Sequence, residues 1–160
     1  MALLELKNLK TFFATKRGTV KAVNGVSYSL DAGKVLGVVG ESGSGKSVSA
    51  MSILRLLDGN GYIDSGEILF NGEDLTKLSM NEMYKIRGNE ISVIFQEPMT
   101  SLNPVFTVSR QISEPLMIHQ GMNKKQAAAK AVELLSDVKI PNPEVVAKQY
   151  PHQLSGGMRQ

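Results

Sequence analysis

The sequence predicts an α/β fold, and three observations support this class. Apolar and polar residues alternate near the N-terminus, a pattern typical of half-buried strands. The run Val35–Val39 is apolar on both faces, as buried parallel strands are, and it leads into a glycine-rich loop. Beyond residue 96 the pattern becomes helical. The chain has 160 residues, of which 42% are hydrophobic, so it can form one domain with a mainly aliphatic core.

The first third of the chain is expected to be rich in β-strands. Alternating patterns predict strands at Leu3–Leu9, Val20–Leu30 and Gly66–Phe70, with a polar turn over residues 15–18. Asn71-Gly72, directly after the third strand, is a strong signal for a tight hairpin turn.

Two apolar runs are candidates for buried strands of a core sheet. The first, Val35–Val39, precedes the glycine-rich loop, after which Val48–Leu57 is predicted to be helical. The second is Ile91–Phe95. Between them, Ser79 and Glu82 have the spacing of a capping box, in which each side chain satisfies a free backbone amide at a helix start.

Helical patterns dominate the remainder of the chain. Helices are predicted at Thr107–His119 and Asn123–Val138, the second with Asn123 and Gln126 at capping positions. Prolines from Pro141 onward are expected to end it. Its core face is predicted to be an apolar stripe formed by Ala127, Ala131, Leu134, Leu135 and Val138.

Composition argues against several classes of protein. The net charge is +3, but the basic residues are scattered, so a nucleic-acid-binding tail is not indicated. There is no cysteine, which excludes disulfides, and no apolar run long enough to cross a membrane, so we expect a soluble cytoplasmic chain. His119 and His152 lack partners at metal-ligand spacing and are expected to be surface or capping residues. Glu41 and Glu97 are not obvious acid–base catalysts.

The segment Gly40–Ser47, with the sequence GESGSGKS, fits the phosphate-binding pattern G-x-x-x-x-G-K-[ST] at every fixed position. A triphosphate is best held by backbone N–H groups converging at a helix N-terminus, and glycines keep that backbone accessible. Lys46 would place its ammonium between the β- and γ-phosphates, and Ser47 would be a Mg²⁺ ligand. The alternative, a flexible Gly/Ser turn, does not account for the apolar run before the loop and the helix after it. The predicted nucleotide-binding residues here are Gly40, Glu41, Ser42, Gly43, Ser44, Gly45, Lys46, Ser47 and Val48.

The segment Leu154–Gln160, with the sequence LSGGMRQ, resembles the signature motif LSGGQ of ATP-binding cassette (ABC) ATPases. This resemblance implies that Ser155, Gly156 and Gly157 begin a helix and contact the γ-phosphate of ATP held by a second subunit. On its own, Ser-Gly-Gly is an ordinary linker. A little over 100 residues after a phosphate loop, it identifies the chain as similar to this family.

Two further residues take their roles from the resemblance alone. Gln96 follows the run Ile91–Phe95, as the glutamine of the family's Q-loop does, and would position Mg²⁺ and the attacking water. Phe13 aligns with the aromatic residue that stacks on adenine, although core packing is a serious rival for this residue.

Within this family, the chain resembles the ATPases of bacterial dipeptide and oligopeptide importers. The similarity rests on VGESGSGKS at Val39–Ser47, FQEPMTSLNP at Phe95–Pro104 and YPHQLSGGM at Tyr150–Met158. It implies the cofactors ATP and Mg²⁺, a second ABC ATPase subunit (identical or different), membrane permease subunits and, indirectly, a solute-binding protein. Nucleic acid is not an implied partner. The implied location is the cytoplasmic side of the bacterial inner membrane. Nickel-importer ATPases share much of the pattern, so nickel or another solute remains an alternative.

The resemblance also implies an N-terminal portion of a P-loop NTPase: an antiparallel β subdomain, an incomplete parallel core sheet and a helical subdomain. We expect the first two in residues 1–96, the helical subdomain in 97–153 and the start of the signature helix in 154–160. The family's later Asp-Glu strand and histidine do not occur up to Gln160, so we expect weak Mg-ATP binding and negligible hydrolysis by this chain alone. Two alternatives stay open: a cassette ATPase acting on nucleic acid or ribosomes, and a truncated, non-hydrolysing remnant that binds nucleotide or regulates a complete subunit.

Overall fold

The computed structural model describes residues 2–96 and 101–160 of the chain. It contains two compact units, Met1–Tyr84 and Lys85–Gln160. Residues Glu97–Thr100, which carry part of the importer-like FQEPMTSLNP segment and the predicted start of the helical subdomain, lie outside the described residues.

An antiparallel sheet forms most of the first unit, which confirms the antiparallel β subdomain. Its strands are β1 (Leu4–Thr15), β2 (Gly18–Leu30), β3 (Gly61–Phe70) and β4 (Glu73–Asp74), in the order β2-β1-β3-β4. The strands β1 and β3 are longer than the alternating patterns predicted.

Tight turns connect β1 to β2, where Thr15 pairs with Gly18, and β3 to β4. Phe70 pairs with Glu73 across Asn71-Gly72, and both turn residues have positive φ, 50° and 86°, as a type I′ hairpin requires. This confirms the predicted turn. Beyond it, Asp74 lies close to Lys77, with 2.9 Å between Oδ2 and Nζ.

The helix after the glycine-rich loop, α1, spans Lys46–Ile53 instead of the predicted 48–57. It ends in a Schellman motif, because the N–H of Leu56 bonds to Met51 O at 2.9 Å and that of Arg55 to Ser52 O at 3.0 Å. Arg55 takes the left-handed conformation, with φ of 51°, and its guanidinium donates to Leu78 O. The apolar pattern through Leu56 and Leu57 therefore continued past the real helix end.

The predicted buried strands Val35–Val39 and Ile91–Phe95 are not buried in the structure. Val35 is 97% exposed, Val39 92% and Ile94 92%. No strand in the described residues pairs with either run, and the parallel pairing seen there is an isolated bridge between Arg87 and Ile91. Burial of a two-faced apolar strand needs neighbouring strands and covering helices, and the described residues do not supply them.

Helices make up the second unit. The boundary between the two units falls within the helix α2 (Met80–Ile86). The predicted Ser79–Glu82 capping box of this helix is confirmed, because Ser79 N lies 2.7 Å from Glu82 Oε2. Next come α3 (Val108–Gln120), α4 (Lys124–Asp137), α5 (Pro143–Val146), a 3₁₀ turn (Pro151–Gln153) and α6 (Gly156–Arg159).

The cap of α4 agrees with the sequence prediction, and α3 begins at a cap that was not predicted. Thr107 caps α3, and Asn123 with Gln126 forms a complete capping box on α4. The first amides of α3 are also satisfied by the chain that follows α5: Val108 N bonds to Gln149 O at 2.9 Å and Ser109 N to Ala147 O at 2.8 Å. These bonds hold the segment before the signature motif against α3.

A small apolar core joins these helices. It contains Val108, Leu135, Val146, Ala147 and Leu154. Of the predicted stripe on α4, Ala127, Ala131 and Leu135 are buried and Leu134 is half-buried, but Val138 is 69% exposed. Val138 lies outside because the helix ends at Asp137, and Lys139 then turns through a positive φ of 60°.

Candidate functional site

The loop Gly40–Ser47 lies in the first unit between the exposed run Val35–Val39 and α1. Its residues Glu41, Ser42, Gly43 and Ser44 are exposed, so the backbone of the loop is open to a ligand. Gly43 and Gly45 have positive φ, 80° and 88°, which residues with a side chain rarely adopt. The glycines therefore allow the loop to curl into the start of α1.

Lys46 is directed back across this loop. Its ammonium donates to Gly40 O at 2.7 Å, to Glu41 O at 2.6 Å and to Ser44 Oγ at 3.3 Å. The positive charge is thus concentrated beside the backbone of Gly40 and Glu41.

The N-terminus of α1 completes a local arrangement suited to an anion. The N-cap is Gly45, which offers no side chain to the first amides of the helix. Within the described part of the chain, no hydrogen bond involves the N–H groups of Lys46, Ser47 and Val48. Free amides at the positive end of a helix dipole, beside a lysine, are the donors that a phosphate group prefers.

A β-bulge in β2 holds Gly45 in place. Thr11 pairs with Val23 and Phe12 with Lys21, which leaves Ala22 as an extra residue on β2. The carbonyl of Ala22 lies so close to Gly45 that a Cβ on that glycine would be 2.3 Å from the oxygen. This packing role of Gly45 was not predicted from the sequence, which indicated only that the glycine keeps the backbone accessible to a ligand.

A buried pair of hydroxyls forms the second attachment of α1. Thr11 Oγ1 on β1 and Ser52 Oγ on α1 are 2.8 Å apart, and both residues are fully buried. Ser52 Oγ donates to Val48 O at 2.7 Å, so its single proton is used and Thr11 is the donor between the two hydroxyls. No sequence pattern pointed to this pair, because its members are 41 residues apart.

The structure places Phe13 in the same unit as the loop, at the half-buried end of β1. Phe13 pairs with Val20 on β2 and with Gly61 on β3. A Cβ at Gly61 would be 2.7 Å from the Phe13 ring, so the ring packs over the bare backbone of this glycine. Phe12, by contrast, is buried and makes an edge contact with Tyr62 at 6.3 Å between ring centroids.

The signature-like residues Ser155, Gly156 and Gly157 lie in the second unit and are exposed. Ser155 caps α6 and accepts from Met158 N at 3.3 Å, while the neighbouring Leu154 is buried in the core of the unit. Tyr150 N bonds to Gln153 Oε1 at 2.8 Å, and the Tyr150 ring stacks on that of His152. The motif is therefore a helix start that Leu154 and the half-buried Met158 attach to the core.

Gln96 also belongs to the second unit, where it is exposed at a bend. The predicted site residues are thus divided: Phe13 and the loop with Val48 lie in the first unit, and Gln96 and Ser155–Gly157 in the second. Of the two histidines, His119 is half-buried in the last turn of α3 and His152 is exposed.

An antiparallel sheet, a glycine loop entering a helix and a helical unit together define the N-terminal portion of a P-loop NTPase. Comparison with solved structures supports this class. The chain superposes on the dimeric structure of MJ0796, a bacterial ABC transporter cassette, with a TM-score of 0.81 and 26% identity, covering 98% of this chain and 65% of that one. The same cassette in a post-hydrolysis state bound to ADP and Pi gives a TM-score of 0.79 at 25% identity, with the same coverage of both chains.

Sequence comparisons identify the family. The ABC transporter family model matches residues 23–160, and the chain therefore belongs to the ABC transporter family. It is 51% identical over 159 residues to the oligopeptide transport ATP-binding protein AppD of Bacillus subtilis, covering 99% of this chain and 48% of that protein. It is 52% identical over 158 residues to the dipeptide transport ATP-binding protein DppD of Lactococcus lactis, covering 98% and 45%. The chain spans about half the length of these curated relatives.

Among the residues that the structure describes, no helix combines the length and apolar character needed to cross a bilayer.

Proposed function

We propose that the loop Gly40–Ser47 and Val48 bind the phosphates of ATP. The observation that carries this proposal is the helix start of α1, where the amides of Lys46, Ser47 and Val48 are unbonded within the described residues and the Lys46 ammonium is held across the loop by Gly40 O. Gly43 and Gly45, both with positive φ, carry no side chain that would cover this backbone. The relatives named for ATP binding and the cassette structure bound to ADP and Pi support nucleotide as the ligand.

In this proposal Phe13 stacks on the adenine base. Its half-buried ring lies at the end of β1, and aromatic faces bind bases through stacking. The deeper burial of Phe12 leaves Phe13 as the better candidate of the two.

Ser47 and Gln96 are the proposed protein ligands of Mg²⁺. Ser47 is exposed at the second position of α1, and its hydroxyl oxygen suits a hard cation. The exposed amide of Gln96 offers a further oxygen. When bound, Mg²⁺ would neutralise charge on the phosphates.

The exposed Ser155, Gly156 and Gly157 are proposed to contact ATP bound to a second ABC ATPase subunit, identical or different. Two observations support this role. Ser155 caps the short helix α6 with its hydroxyl, which presents the start of a helix to solvent. The solved cassette that the chain matches is dimeric.

At the level of the whole transporter, we propose that the chain is part of an ATP-binding subunit of a dipeptide or oligopeptide importer. Identities of 51% and 52% to two peptide-transport ATP-binding proteins favour peptides over nickel or other solutes. The proposed partners are a membrane permease, contacted through the helical subdomain, and indirectly a solute-binding protein. The proposed location is peripheral, on the cytoplasmic side of the membrane, and ATP hydrolysis coupled to uptake is the proposed activity. The subdomain boundaries 1–96, 97–153 and 154–160 remain predictions.

The test is nucleotide binding by the chain and its Lys46→Ala variant. We expect displaceable binding of the fluorescent analogue mant-ATP in the presence of Mg²⁺. Loss of the ammonium should weaken it by about 10- to 100-fold, since a charge-assisted hydrogen bond contributes about 1.5–3 kcal/mol. Lys34→Ala is the matched control, because Lys34 is an exposed lysine in the turn before the loop.

Binding that survives Lys46→Ala unchanged, or falls equally in both variants, would overturn the assignment of the loop. Circular dichroism of each variant checks that the fold is retained, because Lys46 also bonds to the loop carbonyls.

A further inference from the structure

The helix α1 is attached to the sheet at two separate points. Its N-cap Gly45 lies against the bulge carbonyl of Ala22 on β2, and Ser52, near its other end, bonds to Thr11 on β1. Both contacts are short, and the second is between fully buried side chains. Together they fix where the helix starts relative to the sheet.

The Thr11 contact reaches the helix start through a hydrogen-bonded series. Thr11 donates to Ser52, and Ser52 donates to Val48 O in the first turn of α1 at 2.7 Å. Ser49, also buried, donates to Lys46 O at 2.8 Å. The hydroxyls of Thr11 and Ser52 therefore connect β1 to the first turn of α1, which carries the unbonded amides.

Thr11 is also linked to the proposed base contact. It precedes Phe13 by two residues on β1, and the pairing with β3 runs without a shift from Thr11 through Phe13. In a regular strand, residues two apart share a face. The face of β1 that binds α1 is consequently the face that carries Phe13.

We propose that Thr11 and Ser52 are positioning residues that set the spacing between the base-stacking Phe13 and the phosphate loop. This inference rests on the proposed nucleotide site. A nucleoside triphosphate must reach both subsites at once, so its affinity depends on their spacing. Inorganic tripolyphosphate occupies the phosphate loop alone, so its affinity does not.

The experiment compares Thr11→Val with Thr11→Ser. Valine keeps the shape and strand preference of threonine but removes the donor, and serine keeps the hydroxyl. Thr19→Val is the control, because Thr19 is an exposed threonine on β2. ATP and tripolyphosphate are each titrated as competitors of mant-ATP on the full chain, with thermal unfolding recorded alongside.

For Thr11→Val, we expect ATP to bind about fivefold more weakly, in line with about 1 kcal/mol for a buried hydrogen bond, and tripolyphosphate to bind as in the parent chain. Thr11→Ser and Thr19→Val should retain the parent affinities. Equal weakening of both ligands, or no weakening of either, would overturn the positioning role.

Ser52→Ala gives an independent check, because alanine raises the helix propensity of α1 and a loss of ATP affinity could not be attributed to a weaker helix. Its effect should not add to that of Thr11→Val, since both remove the same bond. Additive effects would overturn the inference. If the parent chain binds neither competitor, the nucleotide site itself is refuted, which is a separate outcome.

Discussion

Replacing Gly45 by alanine tests how tightly the phosphate loop is built onto the sheet. Two independent costs apply at this position. The φ of 88° lies in the left-handed region, and a Cβ would be 2.3 Å from Ala22 O, a backbone atom that no side-chain rotation can move. Gly43 provides the matched control, because its φ is 80° but its Cβ would meet nothing within 4 Å.

The expected loss in the free energy of unfolding differs between the two variants. A left-handed conformation costs a residue with a side chain about 1–2 kcal/mol, and this applies to both glycines. Forcing an extra carbon into a packed site adds about 1–3 kcal/mol, and this applies to Gly45 alone. We therefore expect Gly45→Ala to lower the free energy of unfolding by about 2–5 kcal/mol and Gly43→Ala by about 1–2 kcal/mol.

Urea unfolding followed by far-ultraviolet circular dichroism measures this difference. Losses of stability that agree within about 0.5 kcal/mol between the two variants, the usual scatter of surface substitutions, would refute an additional cost at Gly45. In that case Gly45 would matter only for its backbone conformation, and the contact with the bulge would be of no energetic consequence.

Two further predictions concern local stability. Burial alone would raise the pKa of Asp74, but hydrogen bonds from Lys77, from Thr76 and from Ile68 N–H outweigh it and hold the pKa below its ordinary 3.8. The resulting stabilisation is present above the unfolded pKa and is lost as the pH falls through the folded one. Urea unfolding should consequently show that the free energy of unfolding falls more steeply between about pH 5 and pH 3 for the parent chain than for Asp74→Asn. Equal slopes for the two proteins would contradict this prediction. Asn123→Ala should lower the free energy of unfolding by about 1 kcal/mol through loss of the α4 cap, whereas Lys124→Ala, an exposed neighbour, should change it little.

Features set by neighbouring residues were predictable from the sequence. The Asn71-Gly72 turn and the capping boxes at Ser79 and Asn123 depend on side chains within four residues of each other, and all were found as predicted. The loop Gly40–Ser47 was predicted as a phosphate-binding site for the same reason. Its chemistry lies in eight consecutive residues, and the structure shows them entering a helix.

Features that depend on distant parts of the chain were not predictable. The apolar run Val35–Val39 indicated a strand, but the pattern cannot show whether other strands are there to pair with it. The bulge at Ala22 and the Thr11–Ser52 hydrogen bond join residues far apart in the chain, and no sequence pattern indicates that they are in contact. The helix α1 ends where Arg55 takes the left-handed backbone conformation, which is unfavourable for a residue with a side chain and so was not expected from the sequence.

The amide hydrogens of the exposed segment Val35–Val39 are expected to exchange rapidly with solvent. No backbone hydrogen bond in the described residues protects its amides, whereas those of β1 and β2 are held in a ladder. The amides of Val35–Val39 should exchange almost as fast as in an unstructured peptide, whereas the amides of the sheet should exchange only when the sheet opens. On the C-terminal side of the loop, protection is expected to begin at Ser49, whose N–H bonds to Gly45 O at 2.8 Å. A molecule that binds the loop would slow amide exchange in the residues directly before the loop. Occupancy of the loop could therefore be followed at those residues without a label on the ligand.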